Sequence, residues 1–388
     1  MRRSRQKREA MVDLSTAIKT PLYDLHVALG GTLVDFAGYA LPVRYPAGIM
    51  AEHVHCRDSA ALFDVSHMGQ ALLVGPDHET TARALEALTP SAFIKLGLGR
   101  MRYSVLLNDE GGIIDDFIVT RPEDANLDGT LMLVVNGACK EGDYAHLNAK
   151  LPANVKLTPL DDKALIALQG PKAIDALARH SSKADALTFM SYTIDVVDGI
   201  EVVISRCGYT GEDGFELSCA ASDAEQLAKI LLAEPEVEPT GLGARDSLRL
   251  ESGLCLYGHD LTSDIDPAEA DLGWAIQKRR REEGGFPGEA RILAGLQDGP
   301  ARIRVGLRLL GKAPAREGTE IQDLDGNAIG TVTSGGFAPT LQSPIAMGYV
   351  TPDFAKPGSK VKLLVRKRVL DAEVASMPFV PQRYVRKL

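Results

Sequence analysis

Apolar residues alternate with polar ones over 103–107, give way to a polar, glycine-bearing stretch at 108–112, and resume over 113–119. This spacing predicts a β-hairpin, and two adjacent aspartates, Asp115 and Asp116, interrupt its second strand. Successive side chains on a strand point to opposite faces, so Asp116 shares its face with Ile114 and Ile118 and Asp115 is expected on the outer face. A carboxylate on an apolar strand face is costly unless it is paired, hydrogen-bonded or turned toward a polar cavity. Asp116 is therefore expected to have a partner or a ligand.

The same kind of pattern organises the rest of the chain. Helical spacing over 21–31 ends in Gly-Gly; 33–45 is strand-like or irregular; 49–62 has helical spacing and carries His53, His55, Arg57 and Asp58. Two similar passes follow. The first has a strand at 71–74, Gly75-Pro76, a helix to about residue 88, the hairpin of 103–121, a strand at 131–135 and a helix at 141–151. The second has a strand at 164–168, Gly170-Pro171, a helix to about 178, a hairpin through 202–219 and a helix at 223–233. They predict two related α+β units of the split βαβ kind. The turn at 208–214 returns through Phe215-Glu216-Leu217, which sets Glu216 at the position corresponding to Asp116. Two units packed about a pseudo-twofold axis would turn both carboxylates into one cavity. Beyond Gly241, residues 248–256 have helical spacing, 263–267 form a loop, 278–283 read as a solvated charge run and 284–288 as a break. From 302 onward the pattern is all strand, which predicts a small antiparallel barrel or sandwich.

Length changes the picture only by implying two or three domains for 388 residues. No apolar run approaches the ~18 residues of a membrane span, and a net charge of −9 disfavours nucleic acid as a general partner. Five scattered cysteines, odd in number and without a C-x-x-C pair, suit a reducing compartment and no zinc site. Five of the first eight residues are basic with no apolar segment after them, which excludes a secretory signal. Residues 1–18 read as a disordered basic tail, with Met11 an alternative start and a short transit peptide the lesser alternative.

On residues alone, Asp116 is either a ligand-facing acid or a half-exposed surface acid, and Glu216 either faces the same cavity or joins a cross-strand salt bridge. Arg245, between a Gly-x-Gly turn and an apolar helix, is a helix-start residue or an anion clamp. Tyr103 and Tyr209 are packing aromatics or cavity walls. His67 reads as a satisfied structural histidine, and His53 and His55 diverge by roughly 200° on a helix, a poor metal pair. No glycine motif matches a dinucleotide fingerprint or a P-loop, and no G-x-S-x-G elbow is present. The remaining picture is a carboxylate-lined cavity with aromatic walls and an arginine, suited to a flat, nitrogen-rich, partly anionic ligand.

Nine stretches together resemble the glycine cleavage T-protein (aminomethyltransferase) family: TPLYDLH at 20–26, VDFAGY-x-LPVRY at 34–45, ALFDVSHMG at 61–69, the LLNDEGGIIDDFIV hairpin, LQGPKA at 168–173, RCGYTGEDGFEL at 206–217, GLGARDSLRLESGLCLYGHDL at 241–261, TSGGFAPTL at 333–341 and MPFVPQRY at 377–384. Tyr39 departs from the tryptophan usual in that family. The resemblance implies an α+β, three-domain cloverleaf around a central folate channel. Its first domain comprises 19–70 and 162–258, its second is the insertion 71–161 carrying the Asp116 hairpin, and its third is the β-barrel-like 288–388. It also implies a reaction in which the aminomethyl group on the lipoyl arm of H protein releases ammonia and passes its carbon to tetrahydrofolate, giving 5,10-methylenetetrahydrofolate. By the same resemblance Asp116 is the catalytic carboxylate, and Glu216, Arg245 and Tyr384 contact folate. Met68, Tyr103, Ile118, Tyr209 and Trp274 line the pocket. Tetrahydrofolate and lipoylated H protein are the implied partners, without metal, flavin or nicotinamide, in the cytoplasm of a bacterium or the mitochondrial matrix of a eukaryote. Rival readings are the folate module of flavin-dependent dimethylglycine and sarcosine oxidising enzymes, an iron–sulfur assembly factor, and an inactive folate-binding relative. The assembly factors carry a Lys-Gly-Cys-Tyr signature, whereas this chain has Gly253-Leu-Cys-Leu-Tyr257.

Overall fold

The computed structural model describes residues 14–366 and 368–387. Residues 1–13 of the expected tail lie outside the described residues, but its end is ordered. Ile18–Lys19 pairs in parallel with Tyr39 and Ala40, completing a three-stranded sheet with Thr32–Phe36 and Tyr39–Arg44. The Ile18 amide donates to the Gly38 carbonyl, which gives the segment a place in the sheet ahead of residue 19.

A five-stranded sheet has the spatial order Met101–Leu107, Ile113–Thr120, Thr130–Val135, Gly69–Val74 and Lys156–Pro159. The helices His78–Glu86 and Lys140–Lys150 cover one of its faces around Leu73, Leu85, Phe117 and Leu147. A six-stranded sheet has the order Ser191–Val197, Ile200–Arg206, Gly214–Ala220, Lys163–Gln169, Ala60–Asp64 and Val237–Pro239. Ala173–Ala178 and Ala224–Leu232 pack on it over Leu168, Phe215 and Leu227.

The strand order repeats, with Ala60–Asp64 slipped between the last two strands of the second unit. This corrects the expected equivalence of the two carboxylates. Ile113–Thr120 corresponds to Ile200–Arg206, so Glu216 lies on the next strand, the counterpart of Thr130–Val135, and not at the position of Asp116. The misalignment came from Ser191–Val197, whose Ile194 and Val196 are exposed and whose apolar pattern does not mark a buried face.

Three other boundaries move. The helix Ile49–Asp58 ends early because Ala60–Asp64 is a fully buried central strand, and a short apolar run does not distinguish the two by periodicity. The later helix begins at Leu242 and ends at Glu251. The charge run 278–283 is not solvated throughout: it is a helix, Lys278–Glu283, with Arg280 only 5% exposed. Arg280 donates to the carbonyls of Glu86 and Thr89, capping the C-terminal end of His78–Glu86, and Arg279 pairs with the Glu86 carboxylate at 2.5 Å.

The C-terminal region closes into a six-stranded antiparallel barrel. Its order is Ile303–Leu309, Ser343–Val350, Ala328–Ala338, Glu320–Gln322, Lys360–Val365 and Arg368–Ala375, filled by Leu307, Val332, Val350 and Leu363. Closure leaves no unpaired edge strand. The chain then runs back to the six-stranded sheet, where the Arg383 amide donates to the Gly211 carbonyl and the Phe189 amide to that of Val385.

Candidate active site

The Asp116 hairpin is fixed at its turn. The Asn108 side chain accepts from the amides of Glu110 and Gly112 and donates to the Ser263 carbonyl, and the Ile113 amide donates to Ile265. Gly112 is required there, because a Cβ would lie 1.8 Å from the Ser263 carbonyl oxygen. Along Ile113–Thr120, Ile114, Asp116 and Ile118 are half-buried and share one face, while Ile113, Asp115, Phe117 and Val119 point the other way into packed interior.

Asp115 therefore does not occupy an outer face. The sheet is covered on both sides, and Asp115 is fully buried. Asn136, at the end of the neighbouring strand, holds both aspartates: its amide N–H donates to Asp115 Oδ2 at 3.0 Å, and its side-chain Nδ2 donates to Asp115 Oδ1 and Asp116 Oδ1, each at 2.8 Å. Burial, and then the charge of Asp115, push the Asp116 carboxyl up to about 7, while the Tyr103 hydroxyl, which donates to it, pulls downward. A carboxyl with that proton affinity can both hold and release a proton at neutral pH.

The face carrying Ile118 looks across to the six-stranded sheet, and a narrow cavity between the two is lined by Met101, Ile118, Met132, Val203, Ser205 and Glu216. Cys207 donates to Glu216 Oε2 at 3.4 Å. Arg245 lies on the Leu242–Glu251 helix with its guanidinium 4.8 Å from the centre of the Tyr209 ring, and it interacts electrostatically with Glu216. Its Nη1 is buried without a hydrogen-bond partner. Tyr209 donates to the Cys255 carbonyl and feels the charge of Asp116. Tyr209 thus lies against Arg245 and within electrostatic reach of Asp116, while Arg245 is in electrostatic reach of Glu216.

The remaining expected residues border it. Tyr103 stacks on Trp274 with ring centres 5.2 Å apart; Trp274 is 64% exposed and stands at the rim. Met68 packs on the same buried cluster as Val134, which also lines the cavity. Tyr384 arrives on the returning tail and stacks on Phe189 at 4.0 Å, with Arg386 over both rings. His67 departs from the satisfied histidine expected: its Nδ1 is buried without a partner, and burial, then Arg245, hold its pKa down at about 4. His53 and His55 turn to different partners, Ser247 with Glu251 and two backbone carbonyls. Among the described residues no cluster suited to a metal ion occurs.

Comparison with known proteins supplies the family. A sequence model described as the GCVT N-terminal domain matches residues 22–280. The chain belongs to the glycine cleavage T-protein family. A second model, the glycine cleavage T-protein C-terminal barrel domain, matches 302–381, the region that folds here as the closed barrel. A mitochondrial aminomethyltransferase of Dictyostelium discoideum is 44% identical, with 94% of this chain and 93% of that protein covered. That of Flaveria anomala is 45% identical, covering 94% and 90%. The crystal structure of the glycine cleavage system aminomethyltransferase T from Bartonella henselae superposes with a TM-score of 0.88 at 41% identity, over 95% of this chain and 99% of that one.

Within this T-protein fold, sequence reasoning passed over Asn136, Phe189 and Cys207 and set Asp115 on an outer face. Asn136 carried a usable signal, a polar amide directly after the apolar strand Thr130–Val135 and before a glycine.

Proposed function

We propose that this chain is a tetrahydrofolate-dependent aminomethyltransferase, taking the aminomethyl group from the lipoyl arm of H protein, releasing ammonia and giving 5,10-methylenetetrahydrofolate. The observation that supports this reading is Tyr209, which lies against Arg245, the electrostatic neighbour of Glu216, and within reach of the charge of Asp116, whose pKa is near 7. The orphaned Nη1 of Arg245 supports a ligand with an acceptor group, and Glu216, an acid in an otherwise largely apolar cavity, supports a ligand with paired N–H donors. Folate fits that set: Glu216 would take the pterin N–H groups, Arg245 and Tyr384 further polar edges, and Met68, Tyr103, Ile118, Tyr209 and Trp274 the faces. When bound, tetrahydrofolate supplies the nucleophilic nitrogen that accepts the carbon.

Asp116 does the chain's own part of the work. Ionised, it offers a fixed negative charge where positive charge develops; protonated, it holds the proton that the departing amine requires. Asn136 and Tyr103 fix its orientation, so little reorganisation is needed. We read the chain as three domains, 19–70 with 162–258, 71–161 and 288–388, arranged as a cloverleaf about the folate channel; the separate cores of the two sheets and of the barrel support that division. The Dictyostelium discoideum and Flaveria anomala relatives are mitochondrial proteins, and a eukaryotic source would put this chain in the matrix, a bacterial one in the cytoplasm. Among the described residues no helix is long and apolar enough to cross a membrane.

The test is ammonia release from aminomethyl-loaded H protein with and without tetrahydrofolate. Strong stimulation by tetrahydrofolate, with methylenetetrahydrofolate formed in equal amount, is expected. Equal rates in both arms would reject the reading.

A further inference from the structure

Behind Asp116, on the core side of the sheet, lies a second acid that the reaction as described does not use. Asp143 sits in the first turn of Lys140–Lys150, fully buried, and neither of its carboxyl oxygens has an N–H or hydroxyl partner. The group they face is the Asp115 carboxyl. A carboxylate without donors in a dry interior is neutral, and a neutral carboxylic acid has one proton to give. Asp115 is the opposite case: it is buried but accepts two N–H bonds from Asn136, and so is equipped to carry a charge. Two buried carboxyls in contact cannot both ionise, and these asymmetric surroundings decide which one keeps the proton.

We propose that Asp143 is a positioning residue that stays protonated, donates to Asp115, and thereby keeps Asp115 ionised directly behind Asp116. The inference rests on the reading of Asp116 as the reacting carboxyl. Its consequence is electrostatic: the Asp115 charge makes Asp116 a weaker acid than its hydrogen bonds alone would allow. The direction of each perturbation agrees. Burial and then Asp115 push Asp143 up to about 10, whereas the bond from Asp143 pulls Asp115 down against the burial that raises it. Among the described residues, the ionisable groups whose proton affinity Asp115, Asp116 or Asp143 raises are acids too: Tyr103 from the adjacent strand, Cys139 before the helix, Tyr144 on it, and Tyr209, Cys255 and Tyr257 from the segments opposite. Each is itself raised, chiefly by burial, and stays neutral near pH 7, so Asp115 is the charge that acts on Asp116.

The test compares the full-length wild type, Asp143→Asn and Asp115→Asn by the pH profile of folate-dependent ammonia release from about pH 5 to 9. Carboxyl-carbon NMR of aspartate-labelled protein accompanies it. An asparagine at 143 still donates an N–H to Asp115, so its acid limb should coincide with the wild type's. Asp115→Asn removes the anion, and its acid limb should move down by about one pH unit. The wild-type spectrum should hold one aspartate carboxyl that stays protonated up to about pH 8 and is missing from Asp143→Asn. The proposal is overturned if Asp143→Asn shifts the limb as Asp115→Asn does, if Asp115→Asn leaves it in place, or if every aspartate carboxyl other than that of Asp116 titrates below about pH 5. Absence of folate stimulation in the wild type would instead sink the reading of Asp116, and the NMR result would still decide where the buried proton resides.

Discussion

Asp116 is the residue whose environment says most about its use. Asp116→Asn keeps the shape and the contact with Asn136 but removes the titrating group. Folate affinity, measured by titration calorimetry, should stay within a few-fold, and turnover should fall by ~10²-fold or more. In the wild type, kcat/KM should rise with pH through an acid limb near 7, the value of the perturbed carboxyl. Stability should run the opposite way. A carboxyl raised above its unfolded value of about 3.9 contributes its full stabilisation below that value and loses it as pH rises toward the folded value. The Asp116→Asn variant should therefore melt level with wild type near pH 4 and above it near pH 8, as scanning calorimetry would show. Glu216→Ala removes an acceptor of charge-assisted bonds and should weaken folate binding by ~1.5–3 kcal/mol with less effect on the chemical step. An unchanged dissociation constant would remove Glu216 from the folate site. Alternation alone was enough to assign Asp116 to the face it occupies. It misjudged Asp115, because strand periodicity separates two faces without saying that either is wet.

At the scale of elements, the second helix of consequence is the short Lys278–Glu283, which the pattern presented as a solvated charge run. Its arginines close the C-terminal end of His78–Glu86, and Glu86 also accepts from the amides of Phe93 and Ile94 at 2.5 and 3.0 Å. Glu86→Ala would leave Arg279 and the buried Arg280 without their carboxylate and two loop amides without an acceptor. The expected cost is ~3–5 kcal/mol, read as a lowered denaturation midpoint. A midpoint unchanged from wild type would mean that water replaces these contacts. Charge composition could not reveal this latch, because the sequence does not say that a helix end 194 residues upstream meets the run. By contrast the hairpin of 103–121, the barrel strands after 302 and the repeat of two α+β units were legible, since each is written in local periodicity and turn residues. The repeat was read one strand out of phase, because Ser191–Val197 hides its place in the sheet behind exposed apolar residues.

The molecule as a whole is tied together by its last residues. After the barrel, the segment from Met377 crosses to the six-stranded sheet, where Val380 donates to the Glu251 carbonyl and Arg383 to that of Gly211. The Arg383 guanidinium also lies 2.6 Å from Glu212, a buried carboxylate shared with Arg57, and Arg57 in turn pairs with Glu251. One ion network thus joins the turn at 208–214, the helix Leu242–Glu251 and the tail that carries Tyr384. Because Tyr384 stacks on Phe189 only when the tail is seated, tail docking and ligand binding should be coupled. Arg383→Ala tests this. Its side chain is about half exposed, so the loss should be on the order of 1 kcal/mol, or a roughly fivefold increase in tail opening. Hydrogen exchange of the backbone over 378–387 should quicken by about that factor, and folate should slow it again. Exchange that is faster but indifferent to folate would separate the tail from the site, and Tyr384 would then be a packing residue of the second sheet.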